Sequence, residues 1–404
     1  GAASAGPLRD ALGVRWSYAG AGLVLAVGLA GAAMATDMPT LVGFRLVQGV
    51  GGGALASQAY GLVSVIYPAH LRGRVLTVIS TLWGLATVAG PGFGAFFAEP
   101  GLWRGAFWSL VPIALLFMVL VLRYIESAKG DGRFSEIPYW RLSLFGLAVL
   151  LVSATSLSGQ LLVRCALVVG SVILMALAFV RDAKAERSMF PRQTTLINTE
   201  LGATYWIIFL VSVCLAFVNT YTTFYLQALH GMTPFAAGYF FAIQSFMWTA
   251  SALVVATIPA SRESMSIVAG LAVMVIAALG ISFTVETGPV IGIAIAIGLS
   301  GAGIGLMNNP AIQRAMAVAP KAELHIAGAS VQTMRNIGIS FGAGLSGMVA
   351  SAGGLVDGAG PEIVAVAMRW VYFANIIFAL LGLAVALWLM LGHRHKDTVS
   401  TTGG

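Results

Sequence analysis

The apolar stretch 41–66 carries an arginine and a glutamine near its beginning. Arg45 and Gln48 are three positions apart, so they lie on one face of the stretch if it is helical. A charged side chain is costly in lipid, and an arginine inside a membrane span indicates a functional site. Because Arg45 lies only a few residues from the start of the stretch, its guanidinium could instead reach the membrane surface. The sequence leaves both interpretations open.

More polar and aromatic residues interrupt the apolar stretches of the second half of the chain. For each one alone, hydrogen bonding between helices is the expected role, but together they are the best candidates for lining a cavity. The Asn-Asn-Pro sequence among them also predicts a local unwinding that exposes backbone carbonyls. The set comprises Asn219, Tyr225, Gln227, Gln244, Trp248, Asn308, Asn309, Gln332 and Arg335.

The elements that carry these residues must be membrane helices. Of the 404 residues, 58% are hydrophobic and only 9% are charged, whereas soluble domains carry about 25% charged residues. So few charges cannot cover a water-soluble surface of this size. The net charge of +7 does not indicate nucleic acid, because Lys and Arg occur in short clusters between apolar runs. The composition predicts an all-α integral membrane protein.

Apolar runs of about 20 residues, the length needed to span a bilayer, can be marked twelve times. Most of the Lys and Arg residues fall on one side of this arrangement, which is therefore predicted to be cytoplasmic together with both ends of the chain. The predicted spans are 17–36, 41–66, 75–98, 105–124, 142–158, 161–180, 202–226, 235–258, 265–284, 288–311, 326–350 and 366–392.

Two longer polar segments divide these spans into groups of four, two and six. The division predicts a first bundle at 1–125, an inserted helix pair with its linkers at 126–200, a second bundle at 201–392 and a tail at 393–404.

Three motifs resemble those of the major facilitator superfamily of transporters. G-x-x-x-D-x-x-G-x-R, at residues 6–15, resembles the charged loop between the second and third helices of that superfamily. R-x-x-Q-G-x-G from Arg45 resembles its fourth-helix motif. G-P-x-x-G from residue 90 resembles the motif of its antiporters, although Ala95 stands where the family often has a second glycine. Shorter resemblances occur at Trp103-Arg104 and at 225–238.

The resemblance implies a role for each motif. It assigns a conformational latch to Gly6, Asp10, Gly13 and Arg15, proton coupling to Arg45 and Gln48, and a pliable antiporter kink to Gly90, Pro91 and Gly94. The polar set of the second half would then line the substrate cavity.

The four-two-six grouping resembles the fourteen-span drug:proton antiporters if two helices precede Gly6. We therefore expect a major facilitator fold with twelve of fourteen helices, exporting hydrophobic or amphipathic small molecules from the inner membrane of a bacterium in exchange for protons. The proton-carrying acid is expected in the first helix, so the 404 residues alone are expected not to catalyse proton-coupled efflux. The resemblance implies no cofactor and no metal, and leaves a periplasmic adaptor and outer-membrane channel open as partners.

Three other functions are compatible with a membrane protein of this kind. A membrane enzyme would need clustered Asp, Glu or His for metal or acid–base chemistry, and the sequence has no such cluster. Cys165 and Cys214 lie in apolar runs and are read as core residues. An inactive fragment of a transporter and a twelve-span facilitator of another substrate class both remain open, and the substrate is not specified.

Overall fold

The computed structural model describes most of the chain. The described residues are 1, 4–66, 75, 78, 82, 85–86, 89–90, 92–94, 96–97, 102–126, 132, 138–186, 188–256, 258–259, 262–286, 288–320, 323–356 and 358–401. They contain helices and no strand. The helices are α1 (Ala5–Leu12), α2 (Val14–Met34), α3 (Met38–Ile66), α4 (Trp103–Tyr124), α5 (Tyr139–Ala154), α6 (Leu161–Ala183), α7 (Glu200–His230), α8 (Pro234–Val255), α9 (Glu263–Thr284), α10 (Val290–Val318), α11 (Leu324–Ala352) and α12 (Pro361–Thr401).

Within the described residues, eight helices are long and apolar enough to cross a membrane. They are α2, α4, α7, α8, α9 and α10, with most of α6 (Leu162–Ala183) and the first part of α12 (Pro361–Leu391). Of the other predicted spans, α3 and α11 have 29 residues each, α5 has only 16, and 75–98 is described only in part. The all-helical prediction is confirmed, and the number of twelve spans stays a prediction.

The segment 6–15 was predicted to be a loop, and this was wrong for most of it. Residues 5–12 form α1, because Ala, Leu and Arg favour a helix and Gly6 is tolerated within it. Gly13 ends the helix: its φ of +78° suits glycine, and its N–H donates to Arg9 O at 2.8 Å. The next helix, α2, begins immediately at Val14.

The chain forms two compact units, residues 1–142 and 143–404. In the first, α2 packs against both α3 and α4. In the second, α7 is the most enclosed helix and packs against α11 and α12, with Tyr205, Phe217 and Tyr225 wholly buried.

The predicted inserted pair, α5 and α6, belongs to the second unit. Ser171 of α6 donates to Ala148 O of α5 at 2.6 Å. Arg164 donates to Ser351 Oγ of α11 at 2.7 Å, and Gly344 of α11 lies against Val152. The pair is therefore packed onto this unit by polar and close backbone contacts.

Candidate functional site

Arg45 and Gln48 lie one turn apart on α3, as their spacing predicts. Arg45 Nη1 donates to Gln48 Oε1 at 2.8 Å, and the guanidinium carbon lies 5.7 Å from the centre of the Phe107 ring of α4. The Arg45 side chain is exposed and Gln48 is half-buried. The hydrogen bond between Arg45 and Gln48 thus follows from their spacing on one helix, and a second helix adds one aromatic contact.

Glycines of α2 bring its backbone against the Gln48 turn. A Cβ atom at Gly28 would lie 2.3 Å from Gln48 N, and one at Gly51 would lie 2.4 Å from Leu25 N. No side chain fits at such distances, so the two helices approach at backbone contact. Two turns of α3 further on from Gly51, buried Gln58 accepts a hydrogen bond from Ser17 of α2 at 2.9 Å.

The turn between α2 and α3 is fixed by two charged side chains. Arg104 Nη2 donates to Ala35 O at 2.8 Å and so caps the end of α2, while its guanidinium lies 4.3 Å from the Trp103 ring. Asp37 caps α3, because its carboxylate accepts from Thr40 N at 2.8 Å. That backbone bond, with the Thr40 hydroxyl, holds the pKa of Asp37 below its usual value.

The other predicted sites of the first unit are described in part. Gly6 and Asp10 are helical in α1, and the side chain of Asp10 lies outside the described part of the chain. Arg15 is half-buried at the start of α2, 5.9 Å from the Trp16 ring. Gly90 and Gly94 are helical and exposed, whereas Pro91, the centre of the predicted kink, lies outside the described residues.

In the second unit, three predicted residues from three helices meet. Arg335 of α11 donates through Nη2 to Asn308 Oδ1 of α10, and its guanidinium carbon lies 5.7 Å from the centre of the Trp248 ring of α8. A cation over an aromatic face contributes about 0.5–2 kcal/mol, depending on desolvation. We call Arg335, Asn308 and Trp248 the Arg335 cluster.

Close helix packing positions the Arg335 cluster. A Cβ atom at Gly305 of α10 would lie 2.3 Å from Trp248 O, so α8 and α10 touch one turn before Asn308. On α11, Gly338 lies against Phe209 O of α7 at a Cβ distance of 2.6 Å. Arg335 is one turn from that contact. The packing of α11 against α7 therefore fixes the direction in which the Arg335 side chain leaves α11.

The Asn308-Asn309-Pro310 sequence does not unwind α10, which stays helical from Val290 to Val318. Proline has no N–H, so the carbonyl of Leu306 loses its usual helical donor. Ser266 of α9 supplies the bond instead, with its Oγ donating to Leu306 O at 2.7 Å. The predicted exposed carbonyl is therefore satisfied by a neighbouring helix.

A cavity of about 110 Å³ opens beside this turn. Its polar walls come from Glu263 and Ser266 of α9 and from Asn309 and Gln313 of α10. Asn309 therefore lines this cavity together with Glu263, Ser266 and Gln313, which were not among the predicted residues. Glu263 precedes the predicted span 265–284, so it was not counted among the polar residues inside spans.

The remaining predicted cavity residues have other partners. Gln244 is buried and donates to Ser300 Oγ of α10 at 2.9 Å, which joins α8 to α10. Gln332 donates to Asn336 Oδ1 on its own helix at 3.1 Å, and exposed Gln227 donates to Thr223 O. Tyr225 of α7 meets Tyr372 of α12, and Asn219 of α7 has its Oδ1 atom buried.

An ion pair between a buried arginine and a half-buried glutamate was not predicted from the sequence. Arg314 was assigned to a polar connection, yet it lies inside α10 with 8% of its side chain exposed. Its Nη2 lies 2.8 Å from Glu200 Oε1 of α7, and its Nη1 donates to Ser264 Oγ of α9 at 2.5 Å. The opposite charges of Arg314 and Glu200 at the same predicted membrane side were the only signal available.

The sequence profile of the Major Facilitator Superfamily matches residues 1–343. The chain belongs to this superfamily. The solved structure of the POT family transporter PepTSo agrees in fold, with a TM-score of 0.66 over 98% of this chain and 86% of that chain at 14% identity. The prediction of a helical transporter of this superfamily is thereby confirmed.

Proteins with sequences similar to this chain are named as transporters. A protein of Mycobacterium tuberculosis strain H37Rv named "Probable multidrug-efflux transporter" is 31% identical over 387 residues, which are 92% of this chain and 80% of that protein. The "Riboflavin transporter RibZ" of Clostridioides difficile is 23% identical over 345 residues, covering 83% of this chain and 74% of that protein. Multidrug efflux is thus the name attached to the more similar of the two.

Proposed function

We propose that this transporter exports hydrophobic or amphipathic small molecules of the multidrug type in exchange for protons. The two bundles would present a central site alternately to the two sides of a bacterial inner membrane. The observation that carries the proposal is the 31% identity, over 92% of this chain, to a relative named a multidrug-efflux transporter.

The proposed layout extends the helices described above. Twelve helices span the membrane, two more belong to the family pattern, and both ends of the chain face the cytoplasm. The clustering of basic residues between apolar runs supports this orientation. In this layout α5 and α6 are the pair inserted between the transport bundles.

Arg45 and Gln48 are proposed to couple transport to protons. An intrahelical bond between a guanidinium and an amide can be remade when a nearby acid changes its charge. Gly6, Asp10, Gly13 and Arg15 are proposed as the latch of one conformation, and Gly90, Pro91 and Gly94 as the pliable segment of an antiporter.

The Arg335 cluster is proposed to line the substrate site. Its tryptophan ring and its guanidinium offer an aromatic face and hydrogen-bond donors at one point, which suits amphipathic aromatic molecules. Asn309 extends the polar lining at the neighbouring cavity. The other predicted cavity residues, Asn219, Tyr225, Gln227, Gln244 and Gln332, are proposed to act around it.

The test is dye transport in everted membrane vesicles from an efflux-deficient bacterium that expresses the encoding gene. We expect an imposed pH gradient to drive accumulation of a lipophilic dye such as ethidium, and a protonophore to abolish it. Vesicles with the protein present but with dye uptake equal to that of empty-vector vesicles would refute export of this dye class.

Two variants test the assigned coupling site. Arg45→Ala is expected to lower pH-gradient-driven uptake at least about tenfold, the effect of losing about 1.4 kcal/mol of coupling. Arg123→Ala removes an exposed arginine of the same unit and is the matched control, expected to leave uptake unchanged. If Arg45→Ala transports like Arg123→Ala, the coupling assignment is wrong.

A facilitator of another substrate class is the second candidate, and the relative named a riboflavin transporter favours it. The same vesicles can be offered radiolabelled riboflavin without a pH gradient. Uptake of riboflavin but not of dyes would support this candidate over multidrug export.

A further inference from the structure

The helix pair α5 and α6 leaves apolar side chains exposed along its length. On α5, Leu147 and Leu150 are exposed. On α6, which is long and apolar enough to cross a membrane, exposed residues recur every three or four positions and so form one stripe. This α6 stripe consists of Val169, Val172, Ile173, Ala176 and Val180. In a bilayer, such a stripe is expected to contact lipid acyl chains.

Aromatic packing joins the beginning of α5 to the end of α6. The rings of Phe145 and Phe179 lie 5.1 Å apart between centroids, at 82°. The ring of Phe190, from the segment that follows α6, lies 5.7 Å from the first and 5.0 Å from the second. The residues just before Phe145 and just after Phe179 therefore lie at the same end of the pair.

This end carries exposed aromatic and basic side chains. Tyr139 and Trp140, the first two residues of α5, are 57% and 65% exposed. Tryptophan and tyrosine at the ends of membrane helices are typical of the level of the lipid headgroups. Arg181 is also exposed, as is Lys184, one turn beyond Val180 of the α6 stripe. The stripe thus ends in two cations beside an aromatic pair.

The acids near these two cations do not neutralise them. Asp182 is 1% exposed and turned inward, where its carboxylate accepts from Met189 N and Phe190 N, both at 2.9 Å. Glu186 is exposed. Within the described part of the chain, neither Arg181 nor Lys184 forms an ion pair. Their charges are therefore directed outward, at the end of an apolar stripe.

We propose that this end of the pair binds an anionic phospholipid. The phosphate would lie between Arg181 and Lys184, the indole N–H of Trp140 would donate to the headgroup, and an acyl chain would cover the α6 stripe. The backbone N–H groups of the first turn of α5 lie at the same end and also favour an anion. We define the lipid site by Trp140, Arg181 and Lys184.

The apolar stripe is the reason to assign a lipid and not a free phosphate ester. A free ester would contact only the cations, which water and salt screen at an exposed position. A phospholipid adds the burial of acyl chain against the stripe. The proposal does not depend on which molecule is transported or on coupling to protons.

Native mass spectrometry of the purified full chain, supplied with equal amounts of dioleoylphosphatidylglycerol and dioleoylphosphatidylcholine, tests the preference. We expect the wild type to retain several times more phosphatidylglycerol. The double variant Arg181→Gln/Lys184→Gln is expected to lower phosphatidylglycerol retention at least about tenfold and to leave phosphatidylcholine unchanged. Equal retention of both lipids by the wild type, or an unchanged preference in the variant, would overturn the proposal.

Two controls separate this site from general charge and from a free ester. Arg123→Gln/Arg262→Gln removes the same charge from exposed positions elsewhere and is expected to keep the preference. If it loses phosphatidylglycerol equally, binding follows net charge and the site is wrong. Glycerol phosphate at the concentration of the lipid is expected not to displace it. Displacement would assign these cations to a free phosphate ester instead.

Quenching of tryptophan fluorescence by lipids with brominated acyl chains locates the bound lipid. In nanodiscs that contain both lipids, only one of them is brominated at a time. We expect Trp140→Phe to remove more of the quenching by brominated phosphatidylglycerol than by brominated phosphatidylcholine. Trp108→Phe, which removes a tryptophan of α4 that is 48% exposed, is expected to affect both equally. If Trp140→Phe behaves like Trp108→Phe, the anionic lipid is not bound at this end.

Discussion

Arg45 of the first unit and Arg335 of the second are both arginines in predicted spans, and they are held differently. Arg45 is exposed and bonds to Gln48 on its own helix. Arg335 is half-buried, bonds to Asn308 on another helix and lies over the ring of Trp248 on a third. A hydrogen bond within one helix keeps its length when neighbouring helices shift. A hydrogen bond between two helices must lengthen or break, and it therefore opposes the shift.

The largest expected effect comes from Arg335→Ala. It removes a charged hydrogen bond and a cation–π contact between helices, and should lower the free energy of unfolding by about 3 kcal/mol. Chemical unfolding of the purified protein measures it. Arg123→Ala, at an exposed position, is the control. If Arg335→Ala lowered the free energy of unfolding no more than Arg123→Ala does, Arg335 would not differ from an exposed arginine.

Gly28→Ala tests whether the Gln48 turn depends on the approach of α2. The new Cβ would lie 2.3 Å from Gln48 N, so the helices must separate, at a cost of about 2 kcal/mol. Gly20→Ala on the same helix meets open space and is expected to be neutral or stabilising by up to about 1 kcal/mol. Similar melting temperatures for both variants would contradict the backbone contact.

Ser266→Ala tests how the turn that carries Asn308 is supported. It leaves Leu306 O without a donor and should cost about 1–2 kcal/mol. In a Pro310→Ala background the helix can supply its own N–H, so the same change should cost much less. An equal cost in both backgrounds would show that Ser266 acts in another way.

Arg45→Ala should change the free energy of unfolding by less than about 1 kcal/mol, since its bond is exposed and lies within one helix. Together with the expected loss of proton coupling, this would mark Arg45 as functional with little structural role. If Arg45→Ala lowered the free energy of unfolding as much as Arg335→Ala does, both arginines would have a structural role.

The smallest effect concerns Asp37 at the turn between α2 and α3. Its pKa is lowered by the Thr40 bonds, so its charged form stabilises the fold above its usual pKa. That contribution fades as the pH falls through the lowered value. Asp37→Ala should therefore be slightly less stable than wild type at neutral pH and converge with it in acid, as thermal unfolding at several pH values can check.

Local features were predictable from the sequence. The three-residue spacing places Arg45 and Gln48 on one face of α3, and apolar runs of sufficient length gave helices because lipid leaves the backbone no other partner. The helical state of 5–12 was missed because charges and glycines in a short segment resemble a loop.

Contacts between distant residues were not predictable. Of the nine residues proposed for one cavity, three form the Arg335 cluster and Asn309 lines the cavity beside α9. Gln244 bonds to Ser300, Tyr225 meets Tyr372, and Gln227 and Gln332 bond within their own helices. Periodicity tells which face a residue occupies but not which helix lies opposite. The pairing of Arg314 with Glu200, more than a hundred residues apart, has the same origin.

The sequence by itself determined that the chain is a membrane transporter of the major facilitator superfamily, because composition, apolar run length and local motifs depend only on neighbouring residues and on the solvent. The tertiary structure alone decided that Ser266 satisfies the carbonyl freed by Pro310, that Arg335 reaches α8 and α10, and that Arg314 pairs with Glu200. Each of these contacts depends on how separate helices are rotated and how closely they approach. The glycine contacts that set this geometry exist only after the helices have packed.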